Sequence, residues 1–342
     1  MRPGAPMTRR IRNGWLVALL LVAVAAPAAA APPADPLPSW RDGPARRAIL
    51  RFVSAVTRPG SPDYVPPPER IATFDNDGTL MAEKPHYFQL YFVIERIREL
   101  APQHPEWKQE PPFATVLSGD GDHLADLSRE DLERLVLAAS AGTTEDEYVA
   151  AIERFLAEAK NPELGLRFPQ TAYQPMLELI RFLRARGFKV LVCSAAGPEM
   201  IRGFSEKTYG VAREGVIGSD MEMRFELDGE RPVLVREPRF VPPTNDRGGK
   251  PINIDRAVGR SPILAFGNSD GDIEMLEFTA YSGRPHLALL LRHDDAEREF
   301  AYDEGAEQAL ELAPARGWVV VSMHESFRRV FATRPPRRHG AP

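Results

Sequence analysis

Residues 71–80 read Ile-Ala-Thr-Phe-Asp-Asn-Asp-Gly-Thr-Leu, with two carboxylates one residue apart directly behind a short apolar run. Ile71, Ala72, β-branched Thr73 and Phe74 predict a short buried strand. Carboxylates at the carboxyl end of a parallel strand stand where open α/β sheets bind ligands. Asp75 and Asp77 repel each other at this spacing unless a metal cation shares the charge or one acid is protonated. An isolated D-x-D-G is more often a plain Asx-type turn after a strand. The functional reading therefore depends on partners elsewhere in the chain.

The first thirty residues are set apart from the fold. Arg2, Arg9, Arg10 and Arg12 form a basic region, Trp15 to Ala26 an apolar one, and Ala28-Ala29-Ala30 offers an A-x-A cleavage site. This pattern predicts a secretory signal peptide of the Sec type, and hence a periplasmic or secreted protein. Thr8-Arg9-Arg10 resembles a twin-arginine signal, but Arg12 and Asn13 fall where that pattern wants apolar residues. A retained membrane anchor is the competing reading, and the short apolar run argues against it. Removing residues 1–30 leaves 39 basic and 48 acidic residues, a formal charge of −9. Such a chain offers nothing to nucleic acid or anionic lipid. The single cysteine, Cys193, excludes an internal disulfide and sits in an apolar run as a buried filler.

The remaining chain alternates strand and helix signals. Ala31 to about residue 43 reads as a Pro/Ala linker, and Pro44 to Val56 as an amphipathic helix. Residues 82–168 show helices and loops with no convincing strand; Ser128 is placed to cap one helix, and Thr144 with Glu147 to form a capping box for another. Strand signals return at Phe188–Cys193, Ile263–Phe266, His286–Leu291 and Trp318–Val321, and a hairpin turns at Asp228-Gly229. Residues 333–342 read as a disordered tail. The expected fold is α/β, a doubly wound parallel (Rossmann-like) sheet built from 44–81 and 169–332, with 82–168 as a helical insertion.

In such a sheet, loops after neighbouring strands open on one edge. Asp75 and Asp77 end one strand and Ser194 another; Lys250 opens a helix; Asn268, Asp270 and Asp272 follow the strand at 263–266. Together they look like a phosphoryl-transfer site: a carboxylate nucleophile, a hydroxyl and an ammonium for the equatorial oxygens, a magnesium ion and a second carboxylate to shuttle the proton.

The four clusters in this order resemble the motifs of the haloacid dehalogenase superfamily of aspartate-nucleophile phosphatases. They are Asp75-Asn76-Asp77-Gly78-Thr79, Val190-Leu191-Val192-Cys193-Ser194, Gly248-Gly249-Lys250-Pro251 and Phe266 to Asp272. The resemblance spans residues 70–325 and implies a core of the fold just described. It implies that Asp75 is the nucleophile and a magnesium ligand, and that Asp77 is the general acid/base and lends its carbonyl to the metal. Ser194 and Lys250, with Thr79, would contact the phosphate. Asp77 favours ester hydrolysis, because dehalogenase branches lack the second acid. One departure stands out: Asn268 occupies a position where many relatives carry a metal-binding Asp. Its amide oxygen still suits a hard cation. The metal ligands expected here rank Asp272, Asn268, then Asp270, with Asp272 as a helix cap the competing reading.

The segment 82–168 resembles the C1-type helical cap of the phosphoserine-phosphatase-like branch, which closes over small substrates. Glu83 and His86, near its start, are the candidate specificity residues, with Tyr87 and Gln89 beside them; Asn245 and Asp246 also stand within reach. His104, His123, His286, His293 and His324 show no metal-ligand spacing and read as structural. The function expected is hydrolysis of a small phosphate ester through an aspartyl-phosphate, with Mg2+. The alternatives are a phosphotransferase or mutase using the same intermediate, and a non-catalytic binding module.

Overall fold

The computed structural model describes residues 35–119 and 127–335, together with Met1 and Gly4. Met1–Asp35 and Pro36–Pro342 are separate units, and the description below concerns the second. The expected signal peptide, His123 and most of the expected tail lie outside the described residues.

Side-chain alternation explains the architecture. Along β1 (Ile71–Phe74), Ala72 and Phe74 join one hydrophobic core and Ile71 joins a second. The same split recurs on β2 (Lys189–Cys193), where Val190 and Val192 oppose Leu191 and Cys193, and on β6 (Leu264–Gly267), where Leu264 and Phe266 oppose Ala265. Strands apolar on both faces need cover on both, so the sheet is wound with helices on each side. A seven-stranded, mostly parallel sheet runs in the order β3 (Val216–Ile217), β2, β1, β6, β7 (Leu287–Asp294). Beyond β7 lie β9 (Val319–Ser322), parallel to it, and β8 (Ala301–Tyr302), antiparallel. The expected α/β doubly wound core is the fold observed.

Helix α1 (Pro44–Thr57) and α6 (Gln174–Ala185) contribute to the first core. The second takes Ile254 from α9 (Gly249–Val258), Met275 and Leu276 from α10 (Ile273–Phe278), and Ala309 and Ala313 from α11 (Glu307–Arg316). After β2 come the short helices α7 (Pro198–Arg202) and α8 (Ser205–Thr208). β4 (Met221–Asp228) and β5 (Arg231–Phe240) form the expected hairpin. A last turn, α12, spans Met323–Ser326.

Between residues 82 and 168 the described chain holds α2 (Phe88–Leu100), α3 (Phe113–Ser118), α4 (Arg129–Ala138) and α5 (Glu145–Glu158), and no strand. Both capping boxes form locally: Ser128 with Asp131, and Thr144 with Glu147. One expectation needs correcting. Pro36 to Trp40, read as linker, is packed: Leu37, Ser39 and Trp40 are buried, and Ser39 donates from its amide and its hydroxyl to Glu178 at 2.8 and 2.7 Å. A proline-rich composition reports stiffness, and a stiff extended segment docks as readily as it links when it carries a Trp.

Candidate active site

Three strand ends set the floor of the site. β1 pairs in parallel with β2 on one side and β6 on the other, with Phe74 opposite Val192 and Phe266. Asp75, Ser194 and Asn268 follow at the same edge, and the Asp75 amide donates to the Phe266 carbonyl at 2.9 Å. Gly78 turns the chain at φ 74°, where a Cβ would run into the Asn268 amide and come within 2.7 Å of Glu83 Oε1. Glycine is required there on both counts.

Lys250, at the start of α9, is buried between two carboxylates. Its Nζ lies 2.7 Å from Asp75 Oδ1 and 2.6 Å from Asp272 Oδ1. Burial alone would lower its pKa, but Asp272 and Asp75 outweigh that and raise it, so the group stays an ammonium. The other oxygen of Asp272 accepts from the Asn268 amide at 2.9 Å, the Ser269 amide at 3.1 Å and the Ser269 hydroxyl at 3.2 Å. Asp272 therefore both organises its own loop and holds the lysine.

Asp77 accepts from the Ser194 hydroxyl at 3.3 Å through Oδ2, while its Oδ1 is buried with no hydrogen-bond partner. Burial, then the nearby charge of Glu83, push its pKa up to about 7. A carboxyl poised there can both give and take a proton near neutrality. Ser194 is itself placed by Asn245, whose Nδ2 donates to the Ser194 carbonyl at 2.8 Å. Asn76, between the two acids, accepts from the Tyr209 hydroxyl at 2.9 Å through Oδ1.

Asn268 is occupied on both sides. Its Oδ1 accepts from Thr79 Oγ1 at 2.9 Å and its Nδ2 donates to Glu83 Oε1 at 3.1 Å. Thr79 thus spends its hydroxyl on Asn268, and it is not among the residues that line the cavity. Glu83 also accepts from Tyr302 OH at 2.5 Å, and burial raises its pKa. Asp270 accepts from the Ala309 amide at 2.9 Å, at the start of α11, and serves that helix. Cys193 is buried, and burial pushes its thiol up to about 12, so it is no nucleophile.

A cavity of about 370 Å³ opens over these groups, with Asp75, Asp77, Glu83, Tyr87, Ser194 and Lys250 in its wall. His86 is not in that wall; it sits beside Tyr91, ring centroids 6.0 Å apart. The chain bends at Pro85 and His86 just before α2, and Tyr87, largely exposed, lines the cavity where His86 does not. Asp246 reaches the cavity, paired with Arg129 at 2.8 Å.

His293, read from the sequence as structural, is structural, but its partners and its place behind the site were not visible there. It is buried on β7, with Nε2 2.8 Å from the Gly78 carbonyl and Nδ1 3.2 Å from Glu299 Oε2. Both partners are acceptors, a geometry that favours a ring protonated on both nitrogens. Burial would lower its pKa, but the Glu299 hydrogen bond and charge outweigh burial and raise it. It pins the turn that carries Asp77.

Among the described residues no three His, Cys, Asp or Glu side chains cluster tightly enough to hold a metal by themselves. The candidate donors are all oxygens, but both Asp272 oxygens and the Asn268 side-chain oxygen already accept hydrogen bonds and neither residue lines the cavity. Asp75 Oδ2 makes no hydrogen bond among the described residues, and Asp77 Oδ1 is orphaned. That donor set fits a hard cation that keeps several waters, such as Mg2+.

This constellation on this sheet defines a hydrolase site of one family. The model of the haloacid dehalogenase-like hydrolases matches residues 72–277, and the chain belongs to that family. A conserved, functionally unknown protein of Anaerococcus prevotii shares the fold, at 15% identity and TM-score 0.52, over 86% of this chain and 96% of the other. A protein of unknown function from Bordetella pertussis aligns at 19% identity and TM-score 0.48, over 74% of this chain and 98% of the other. A phosphoserine phosphohydrolase-like protein from Francisella tularensis aligns at 19% identity and TM-score 0.37, over 72% and 99%. A search of curated proteins finds no match.

Proposed function

We propose that the chain is an exported, magnesium-dependent phosphomonoesterase acting on a small phosphate ester. The observation that carries the reading is the meeting of Asp75, Asp77, Ser194 and Lys250 on one cavity wall. A buried carboxylate held against an ammonium, beside a second carboxyl poised near pH 7, is the pair that ester hydrolysis by covalent catalysis needs.

The chemistry follows from these groups. A carboxylate oxygen of Asp75 forms a bond to phosphorus as the bond to the leaving oxygen breaks. Asp77 gives that oxygen its proton, so the product departs as an alcohol. Asp77, now a carboxylate, takes a proton from water; the water oxygen bonds to phosphorus and the Asp75–phosphorus bond breaks, giving inorganic phosphate. Lys250 and Ser194 hold the phosphoryl oxygens through the transfer. Magnesium, held by Asp75 and the Asp77 carbonyl, would neutralise charge on those oxygens. The helical segment 82–168 acts as a cap that excludes water, tied to the core where the Gly197 amide donates to Gln89 at 3.0 Å.

The test is phosphate release from a panel of phosphate esters by the purified chain, with magnesium and with excess chelator. Release that depends on magnesium is the expected result. No release from any ester, or release undiminished by chelator, overturns the reading. The net negative charge argues against nucleic acid as substrate.

A further inference from the structure

The part of the cavity beyond the phosphate-facing groups differs in character from the floor. Leu90 and Val93 on α2, Leu132 and Val136 on α4, and Phe240 at the end of β5 supply an apolar wall. The charged residues on the rim are already matched: Arg129 binds Asp246 at 2.8 Å and Glu133 at 3.0 Å. Glu83 is committed to Tyr302 and Asn268, and Gln89 to the Gly197 amide. Away from Lys250, the one cation among the lining residues is Arg129, and it already faces the carboxylates of Asp246 and Glu133.

We propose that this wall selects phosphate monoesters of uncharged, apolar alcohols, ring-sized aryl or medium-chain alkyl esters, over those of amino acids, polyols or bisphosphates. The inference rests on the phosphomonoesterase reading for turnover, but the wall itself selects by contact. A hydroxyl-rich or anionic leaving group would have to shed water against Leu132, Val136 and Phe240, where the polar lining groups sit apart at Tyr87, Thr244 and the Arg129 ion pairs. A second phosphate would meet Glu83, Glu133 and Asp246 rather than a free cation. An apolar group leaves water for a preformed apolar surface, and the volume of about 370 Å³ admits one beyond the phosphate.

Two measurements on the full chain separate the parts of the claim. Titration calorimetry with phenylphosphonate, hexylphosphonate and methylphosphonate, none of which can be hydrolysed, reads the wall alone. The phenyl and hexyl compounds are expected to bind at least about tenfold tighter than methylphosphonate, with a negative heat-capacity change. Leu132→Asn and Phe240→Ser, at half-buried positions where the fold tolerates change, should each shrink that ratio several-fold. Equal binding of the three phosphonates overturns the inference. Turnover is then compared for phenyl and hexyl phosphate against phosphoserine, glycerol phosphate and a sugar bisphosphate. Apolar esters ahead in kcat/KM support the inference; polar esters level or ahead overturn it while leaving the phosphatase reading intact. No turnover of any ester, with the phosphonate preference preserved, ends the phosphatase reading and leaves an apolar phosphonate-binding site standing.

Discussion

Asp75 faces two demands that pull against each other. It must be an ionised nucleophile, yet it is buried, and burial raises its pKa against the pull of Lys250. Asp75→Asn keeps the shape and removes both the nucleophile and the buried charge. Phosphate release should fall at least about a thousandfold, while the urea midpoint stays level or rises, because an uncharged amide is easier to bury. Substantial residual activity in that variant would sink the covalent mechanism. Lys250 gives the complementary case. Lys250→Met leaves Asp75 and Asp272 facing each other without a cation, and breaking a buried pair in this way costs about 3–5 kcal/mol. Urea unfolding at pH 7 measures it, and part of the loss should return at lower pH as a carboxyl takes up a proton. A loss under about 1 kcal/mol at pH 7 would mean that the pair is far better solvated than its burial implies.

Elements bring in what no local pattern announces. The turn after β1 is held by His293 on β7, a strand that does not touch β1; Glu299 lies in the loop beyond it, and Tyr302 on β8 stacks on the ring, centroids 4.4 Å apart. The groups facing His293 are Glu299 and Glu83, the Gly78 carbonyl, and the rings of Tyr302 and Tyr173. Its folded pKa is raised, so the stability it contributes is full below the unfolded value of about 6.5 and is lost as pH rises through the higher folded value. The stability difference between the native chain and His293→Gln should therefore be largest at pH 6 and shrink toward pH 9. A difference that stays flat or grows with pH would show that the ring is neutral in the fold. Capping boxes at Ser128 and Thr144, and the strands that end in Asp75 and Ser194, were legible because each depends on residues within a few positions. His293 was not, because its role depends on a strand pairing that closes 215 residues of chain. Asn268 was half legible: its place at the strand end follows from the apolar run before it. Its commitment to Thr79 and Glu83 needs the fold. His86 was not placed by the sequence either, because the bend at residues 85 and 86 decides which side chains before α2 reach the cavity.

At the scale of the whole molecule, the two ends of the folded unit close on α6 and on each other. Trp40 packs edge-on against Phe327, centroids 5.0 Å apart, and donates from Nε1 to the Pro175 carbonyl at 2.9 Å. Backbone bonds from Arg41 to Ser326 at 2.7 Å and from Arg328 to Ser39 at 2.8 Å complete the closure. None of these residues lines the cavity, so stability and catalysis should separate there. Trp40→Ala removes a fully buried aromatic side chain and should cost about 3–5 kcal/mol in urea unfolding, while kcat and KM per folded molecule stay within about twofold. A fall in kcat at unchanged stability would instead tie this closure to the site. The export proposed above would be constrained by the same contacts. Leu37, Ser39 and Trp40 belong to the fold, so removal of a leader must leave them in place. Cutting after Ala30 satisfies that, whereas cutting beyond Trp40 would release a chain weakened by at least the amount that Trp40→Ala measures. Mass spectrometry of the exported protein is therefore expected to find its first residue before Pro36. A stable, active product that begins after Trp40 would overturn both the assigned cleavage region and the role given to the closure.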